Sequence, residues 1–247
     1  MFRTLPSLLA VALLVQAGLG YATGADDDFK LEPGYTLLFN GKDLTGWCYP
    51  GAKGKPLVGL TETEDKRFFV KDGIIVADEG KGIKDLFTVK EFDKDFNLKM
   101  EFRAGEKSDS GVYIRGPQLQ VRDFIRRGEQ KQMKKFKDDG WNELDITVKG
   151  GIIATSVNGK AVTPKDILEV TVKDGKPAAK LNGTAVDITK LDISVNNVAT
   201  CFCNGEPFAP PTMNVPAKGG IGLQAEPGAK VGTMKFEYRR IRLKELD

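Results

Sequence analysis

The stretch DFNLKMEFR, residues 95–103, alternates apolar and polar side chains without a break. Its apolar residues occupy the even-numbered positions, and its charged and amide residues occupy the odd-numbered positions. Side chains of a β-strand point to opposite faces in turn, so this pattern places one face against a core and the other in water. It predicts a strand of an antiparallel sheet.

Strand and turn signals continue on both sides of this stretch. FFVKDGIIVA, residues 68–77, has two apolar runs around an Asp-Gly pair, which is typical of a tight hairpin. Residues 110–115 and 118–123 predict two more strands, separated by Gly116-Pro117. Near the C-terminus the alternation slips by one residue, which predicts a β-bulge at Arg239-Arg240. The best helical candidate, residues 129–137, is short.

A partial repeat occupies the middle of the chain. Residues 146–163 and 170–187 match at a spacing of 24, each with a strand, a glycine turn, a strand and an Asn-Gly turn. Two copies are too few for a solenoid or propeller, so we interpret them as consecutive hairpins of one meander. Residues 197–220, rich in Asn, Pro and Gly, predict an irregular loop. Numerous short strands favour an all-β sandwich or jelly roll over a lone barrel.

The N-terminus has the order of a secretory signal peptide. A single Arg3 precedes the apolar run LLAVALLV, and small residues follow it up to Gly24. The run is too short to span a bilayer, and no second long apolar stretch follows. We therefore expect residues 1–24 to be a signal peptide, residues 25–247 to form a single domain, and the protein to be secreted or to reside in the periplasm or cell envelope.

Composition limits the chemistry. The chain has no histidine, which excludes Ser-His-Asp and Cys-His nucleophiles, a histidine base and histidine-bound zinc. The formal charge of +3, with both signs interspersed, argues against a nucleic-acid surface. In an exported protein, Cys48 could form a disulfide with Cys201 or Cys203; three small buried side chains are an equally good interpretation.

The segment SDSGVYIRGPQLQVRD, residues 108–123, predicts a polar sheet face. If Val112 and Ile114 point into the core, their neighbours point away from it, and the next strand continues the pattern. Planar amide and guanidinium groups of this kind suit the hydroxyls of a sugar. The predicted face consists of Tyr113, Arg115, Gln118, Gln120 and Arg122.

This segment is one of six ordered motifs that span almost the whole chain after the leader. The others are LLFNGKDLTGW at 37–47, GWNELDITVKGG at 140–151, VNGKAV at 157–162, GGIGLQAE at 219–226 and FEYRRIRLKEL at 236–246. Together they resemble the 3-keto-disaccharide hydrolase family, also called domain of unknown function 1080. The resemblance implies a concanavalin A-like jelly-roll sandwich of two antiparallel sheets.

The resemblance also implies cleavage of a glycoside or oligosaccharide that is already a ketone at C3. A base removes the acidified C2 proton, the C1 glycosidic oxygen leaves, and water adds back. Mapped onto this chain, it implies Asp123 as the base, with Asp109 as the second choice, Arg115 as the stabiliser of the enolate and Tyr113 as an acid. Asp109 and Asp123 could instead hold Ca²⁺, Mg²⁺ or Mn²⁺ in the role of Arg115.

Three more residues complete the expected sugar site. Trp141 could stack on a sugar ring, and Asn142 and Gln224 could supply amides; each has an alternative role in packing or sheet-edge hydrogen bonding. The family pattern has Asn where this chain has Asp109, and Glu where it has Gln118. The amide at Gln118 favours a second hypothesis, a non-catalytic carbohydrate-binding module of the envelope. A scaffold protein of the envelope is a third.

Overall fold

The computed structural model describes residues 29–163, 165–173, 175–226 and 235–247. The expected signal peptide, residues 1–24, lies outside them. Within the described ranges there are eighteen strands and one 3₁₀ turn, Ile188–Lys190. The strands are β1 (Thr36–Leu37), β2 (Trp47–Tyr49), β3 (Lys55–Pro56), β4 (Phe68–Lys71), β5 (Ile74–Ala77), β6 (Lys84–Thr88), β7 (Phe96–Ala104), β8 (Asp109–Ile114), β9 (Gln118–Arg122), β10 (Asn142–Val157), β11 (Lys160–Ala161), β12 (Leu168–Lys173), β13 (Lys176–Leu181), β14 (Thr184–Val186), β15 (Leu191–Cys203), β16 (Glu206–Val215), β17 (Ile221–Ala225) and β18 (Phe236–Glu245).

These strands form three antiparallel sheets. The largest has nine strands in the order β16-β15-β10-β7-β18-β5-β4, with β1 beside β18 and β11 beside β10. The second has six strands in the order β3-β2-β6-β17-β8-β9. A separate three-stranded sheet, β12-β13-β14, is inserted between β10 and β15.

A hydrophobic core joins the two larger sheets into a sandwich. The apolar residues of β7 in the nine-stranded sheet are fully buried, as its alternation predicts. They belong to the same core cluster as Leu86, Val112 and Leu223 of the six-stranded sheet. The predicted all-β jelly-roll sandwich is therefore confirmed.

Local turn signals are also confirmed. Asp72 and Gly73 join β4 to β5 with φ of 50° and 75°, which is the geometry of a tight hairpin. In β18 the pairing with β7 shifts register between Arg239 and Arg242, and Arg240 has a φ of 52°. This is the bulge predicted from the slip in alternation.

The helix predicted at residues 129–137 is wrong. That region consists of turns, because side chains from other elements bind its backbone amides. The Lys135 amide donates to Glu206, and the Lys137 amide donates to Asn142. These bonds to side chains replace the backbone bonds of a helix.

The two repeat copies belong to different sheets, which corrects the single predicted meander. Gly150-Gly151 lies inside the long strand β10 as an irregularity, where a turn had been expected. β10 pairs with β7 on one side and β15 on the other, so the second copy is left to form the separate sheet. The Asn-Gly turns themselves are confirmed: Asn158 and Asn182 have φ of 52° and 51°.

Residues 197–220, predicted as an irregular loop, instead hold the end of β15 and all of the paired strand β16. Asn204 and Gly205 turn the chain between these strands, with φ of 50° and 77°. β16 lies at the edge of its sheet. An edge position tolerates its prolines because one side of the strand needs no ladder hydrogen bonds.

All three cysteines are free and buried. Cys48 lies on β2 of the six-stranded sheet, whereas Cys201 and Cys203 lie on β15 of the other sheet. Burial raises the pKa of the Cys201 and Cys203 thiols to about 12. The interpretation as small buried side chains is thus confirmed over the disulfide.

Within the described part of the chain, no helix has the length and hydrophobicity needed to cross a membrane.

Candidate functional site

The six-stranded sheet presents a polar face on the side opposite the core. Leu86 and Leu223 are fully buried, so Asp85 and Gln224, their sequence neighbours, point the other way. Asp85 and Gln224 lie directly opposite each other across β6 and β17. We use the term polar face for the side chains on this side of the sheet, namely Asp85, Phe87, Asp109, Tyr113, Gln118, Gln120, Arg122 and Gln224.

A chain of neutral hydrogen bonds crosses the centre of this face. The Gln118 amide nitrogen donates to the Gln224 Oε1 at 2.7 Å, and the Gln224 amide nitrogen donates to the Tyr113 hydroxyl at 2.8 Å. The Tyr113 ring lies against the Phe87 ring, with 5.1 Å between centroids. Burial, with Asp85 adding to it, raises the pKa of Tyr113 to about 12, so its phenol stays protonated.

Two glycines make room for these side chains. A Cβ at Gly111 would lie 1.8 Å from the Gln118 amide nitrogen, and a Cβ at Gly222 would lie 2.6 Å from the Phe87 ring. Each distance is shorter than a van der Waals contact. The absence of a side chain at these two positions therefore lets Gln118 and Phe87 lie flat across the sheet.

Asp85 is the carboxylate nearest the centre of the face. Burial raises its pKa, and a hydrogen bond with Tyr113 offsets part of that shift. Its Oδ1 atom is buried and has no hydrogen-bond partner. An unpartnered carboxylate oxygen in a polar site is free to accept a proton or a substrate hydrogen bond.

Glu226 follows β17 and stands beside the same face. Burial raises the pKa of its carboxyl group, and the charges of Asp109 and Asp85 raise it further. Arg67, which is buried, donates to the carbonyls of Ala225 and Glu226, both at 2.9 Å. The same guanidinium donates to the carbonyls of Asp78, Lys81 and Gly82. Arg67 therefore fixes the backbone from which Glu226 projects.

The β9 edge of the face is a network of paired charges. Arg122 Nε lies 2.8 Å from Asp109, and its Nη1 lies 3.1 Å from Glu129. Asp109 also accepts from Gln120 and lies 3.4 Å from Arg127. Arg122 and Asp109 therefore balance each other, and Asp109 has fewer lone pairs available than Asp85.

The structure brings together six of the residues predicted from sequence: Asp109, Tyr113, Gln118, Gln120, Arg122 and Gln224. Asp123 is not among them. Arg122 pairs with Asp109 on the polar side, so the next residue turns to the core side, where Asp123 is fully buried. There Asp123 accepts from the Lys107 amide and from Arg126 Nε, each at 2.6 Å.

Arg115 also leaves the predicted face. It has a φ of 54°, so the strand alternation that would align it with Tyr113 ends there. Its buried guanidinium donates to the carbonyls of Lys94 and Pro216 and lies 5.1 Å from the Phe96 ring centroid. Burial lowers the pKa of Arg115.

Trp141 and Asn142 belong to the opposite side of the sandwich. Trp141 lies between two guanidinium groups, with Arg239 at 4.1 Å and Arg103 at 4.9 Å from its ring centroid. Asn142 is fully buried and bonds to the backbone of Lys137. Both side chains have partners within the nine-stranded sheet and its loops, so neither joins the polar face.

The sequence profile of the 3-keto-alpha-glucoside-1,2-lyase-like domain matches residues 34–244. The chain belongs to this family. The match includes every residue of the polar face together with Arg67 and Glu226, and it confirms the resemblance carried by the six motifs. Family membership assigns the chain a carbohydrate-active role.

Solved structures with similar chains include several carbohydrate-related proteins. A candidate glycosyl hydrolase from Parabacteroides distasonis ATCC 8503 is 18% identical, with a TM-score of 0.44, covering 86% of this chain and 99% of its own. The carbohydrate-binding module CBM66 from Bacillus subtilis is 9% identical, with a TM-score of 0.31, covering 82% and 97%. Identities and scores this low say nothing about which molecule this chain binds. A search of curated protein sequences finds no match.

Asp109 and Asp123 do not fit the metal site expected of them. Their side chains lie on opposite sides of the β8–β9 pair, and each is bound by an arginine. Among the described residues, no group of three or more His, Cys, Asp or Glu side chains could hold a metal ion.

One cavity of the sandwich adjoins the polar face. It measures about 220 Å³, opens between β9 and β16, and has apolar walls that include Leu119, Phe208 and Met213 beside Gln118 and Gln120. A larger groove of about 640 Å³ lies between the N-terminal segment and β18. Its one carboxylate, Glu245, has a pKa lowered by Lys90, so it stays ionised and is a weaker acid–base candidate.

Sequence reasoning missed Asp85, Glu226 and Arg67. A signal for Glu226 was present, because it follows Gln224 by two residues and so keeps the same side of the strand. Asp85 precedes two consecutive apolar residues, Leu86 and Phe87, so the sequence around it lacks the alternation of polar and apolar residues that marks a strand face. Arg67 carried no signal, since its partners lie up to 159 residues away.

Proposed function

We propose that the polar face binds a glycoside already oxidised to a ketone at C3, and that Asp85 and Glu226 cleave it as base and acid. One observation supports this assignment above all. Asp85 bonds to Tyr113 in the hydrogen-bonded row Tyr113–Gln224–Gln118, and Glu226 follows Gln224 by two residues. Burial raises the pKa of both carboxyl groups. Carboxyl groups with raised pKa values are suited to proton transfer near neutral pH.

The chemistry follows from the ketone. The C3 carbonyl acidifies the C2 hydrogen, and Asp85 Oδ1 accepts that proton. The electron pair forms a C1–C2 double bond and expels the C1 glycosidic oxygen, which takes a proton from Glu226. Water then adds its hydroxyl to C1 and returns a proton to Glu226, while Asp85 returns its proton to C2. The net reaction is hydrolysis.

The neutral groups of the face would hold the developing enolate. Tyr113, with a pKa of about 12, remains a hydrogen-bond donor at any working pH. Gln118 and Gln224 have further amide hydrogens beyond those in the row. A donor placed where charge develops in the transition state is worth about 10²–10³ in rate. The leaving group would extend toward the apolar cavity beside Gln118 and Gln120.

The test is turnover of a 3-keto-glucoside by the wild type, Asp85→Asn, Glu226→Gln and Asp123→Asn. We expect the first two variants to lose about 10²–10⁴ in kcat. Glu226→Gln should retain more activity on substrates with acidic leaving groups, which need less protonation. Asp123→Asn should retain its kcat at temperatures where it is folded. Full activity of Asp85→Asn would overturn the assignment of the base.

A non-catalytic carbohydrate-binding module is the second candidate, and one observation favours it. The Gln118 amide is engaged with Gln224, and the family resemblance implies a carboxylate at this position. A wild type that binds glycans but never turns over a 3-keto-glycoside would support this function. Gln118→Glu, which restores the carboxylate, would then show whether that position alone withholds activity.

We also propose that the protein is exported, because residues 1–24 have the order of a secretory signal peptide. Expression of the full chain followed by N-terminal sequencing of the mature protein tests this directly. Cleavage near Gly24 is the expected result. An intact N-terminus on cell-internal protein would contradict it.

A further inference from the structure

The inserted sheet β12-β13-β14 has a free edge at β12. β12 pairs with β13 on one side and, in the described part of the chain, with no strand on the other. Every residue of β12 after Leu168 is exposed, including Val170 at 52% and Val172 at 71%. An exposed edge strand of six residues with no strand on one side is a template for a further strand.

The sequence of β13 reveals which β12 groups point to this edge. Val172 lies opposite Pro177, which has no N–H, so this pair exchanges no ladder hydrogen bonds. The N–H and C=O of Val172 therefore point away from β13. Backbone direction alternates along a strand, so the same holds for Val170 and Leu168. The bond from the Asn182 amide to the Ile167 carbonyl agrees, because it places the odd-numbered residues toward β13.

A second copy of β12 fits this edge in one favoured register. Antiparallel hydrogen bonding requires even-numbered residues to face even-numbered residues. With Thr171 opposite the same residue of the second copy, Val170 lies opposite Val172 and Glu169 lies opposite Lys173. In the two neighbouring registers, Val170 or Val172 lies opposite the same residue of the second copy. One charged residue of β12 then lies opposite Thr171, and the other lies opposite a residue beyond the end of the strand. Opposite charges and β-branched pairs are the favourable cross-strand partners.

We propose that β12 pairs antiparallel with β12 of a second copy of this chain, in this register. The interface is two-fold symmetric, so each Glu–Lys and each Val–Val pair occurs twice. The Glu169–Lys173 positions are pairs without ladder hydrogen bonds, where facing side chains approach most closely. Two three-stranded sheets thereby become one six-stranded sheet. This proposal uses no residue of the polar face and is independent of the proposed function.

Sedimentation velocity over a concentration series tests the interface through a charge swap. The wild type should dimerise, and Lys173→Glu should weaken association by about tenfold, because two attractive pairs become repulsive. The double variant Glu169→Lys/Lys173→Glu should restore the wild-type affinity. A monomeric wild type overturns the proposal. The proposal is also overturned if Lys173→Glu leaves the dimerisation affinity unchanged, or if the double variant does not regain the wild-type affinity.

A cysteine placed on the two-fold axis tests the register. Thr171→Cys puts two thiols opposite each other in a closely spaced pair, so mild oxidation should give a covalent dimer. Glu169→Cys is the matched control, because its partner is Lys173 of the second copy and it should cross-link far more slowly. The native thiols are buried and should not compete. Equal cross-linking of both variants would contradict the register.

Discussion

Asp85 and Gln224 lie opposite each other across the pairing of β6 with β17, and both side chains contact Tyr113 through hydrogen bonds. Asp85 thus lies beside the neutral hydrogen-bonded row, with its Oδ1 unpartnered. The relationship places a buried, unpartnered carboxylate oxygen beside the donors that would hold a substrate carbonyl. The consequences extend to pH dependence, positioning and stability.

Asp85 should make the protein less stable as pH rises. Burial raises its pKa in the folded state, so the folded protein keeps this proton at pH values where the unfolded chain has lost it. Its stabilising contribution is complete below the unfolded pKa and is lost as pH rises through the folded pKa. Urea unfolding at a series of pH values should show that the free energy of unfolding declines less steeply with pH in Asp85→Asn than in the wild type. Asp43, whose pKa is lowered by Thr45, should act in the opposite sense when replaced by Asn.

Arg67→Lys should impair turnover more than folding. Lysine cannot reproduce the fork of hydrogen bonds that fixes the carbonyls of Ala225 and Glu226. We expect kcat to fall about tenfold, with a shifted alkaline limb of the pH–rate profile as Glu226 moves. Lys81→Ala is the control, since it keeps the carbonyl that Arg67 binds and removes only an exposed side chain. Equal effects of the two variants would contradict a positioning role.

Asp123→Asn should cost stability, about 2 kcal/mol of unfolding free energy, because it removes the charge from a buried, ion-paired side chain. Asp139→Asn provides a matched comparison, since Asp139 binds the same Arg126 while its side chain is 85% exposed. That change should cost less than about 0.5 kcal/mol. Chemical denaturation measures both. A comparable loss for the two variants would mean that burial of Asp123 does not matter.

Trp141→Ala should destabilise the fold and spare the activity. The indole lies between Arg239 and Arg103, and cation–π contacts of this kind contribute about 1–2 kcal/mol together. Thermal unfolding should show the loss, while KM for a 3-keto-glucoside should stay within about twofold of the wild type. A large rise in KM would instead return Trp141 to the sugar site.

Gly111→Ala should disturb the polar face without unfolding the sheet. The added Cβ would displace the Gln118 amide, which is the end of a flexible side chain. The bond between Gln118 and Gln224 would break, and we expect weaker substrate binding with little change in thermal stability. Ala is compatible with the extended backbone of β8. Gly222→Ala is the variant for comparison. Its added Cβ would clash with the Phe87 ring, so this variant should also lose thermal stability.

Much of the fold was accessible from sequence because strand patterns are local. The alternation in β7, the Asp-Gly hairpin and the slip at Arg239-Arg240 each depend on a few adjacent residues. Predictions failed where other elements intervened. The turns at 129–137 depend on the distant Glu206 and on Asn142 at the start of β10, and the repeat was divided because β15 pairs with β10.

The same distinction governs the candidate site. Parity along a strand correctly grouped Tyr113, Gln118, Gln120 and Arg122, since side chains two residues apart share a face. The same parity rule misplaced Arg115, because a positive φ at this residue ends the strand. It could not predict that Asp85, which lies on another strand, joins the face. Asp123 was chosen for its family motif, but it follows the last residue of β9 and is buried on the core side.

The sequence by itself determined the strand faces, the hairpin turns, the absence of histidine and the family. Tertiary structure alone decided which strands are neighbours, and hence that Asp85, Tyr113 and Gln224 meet. The physical reason is that a period of two residues orients side chains within a strand, whereas pairing between strands depends on the packing of the whole core. The acid–base chemistry proposed for the face depends on that packing, because burial between neighbouring strands raises the pKa of Asp85.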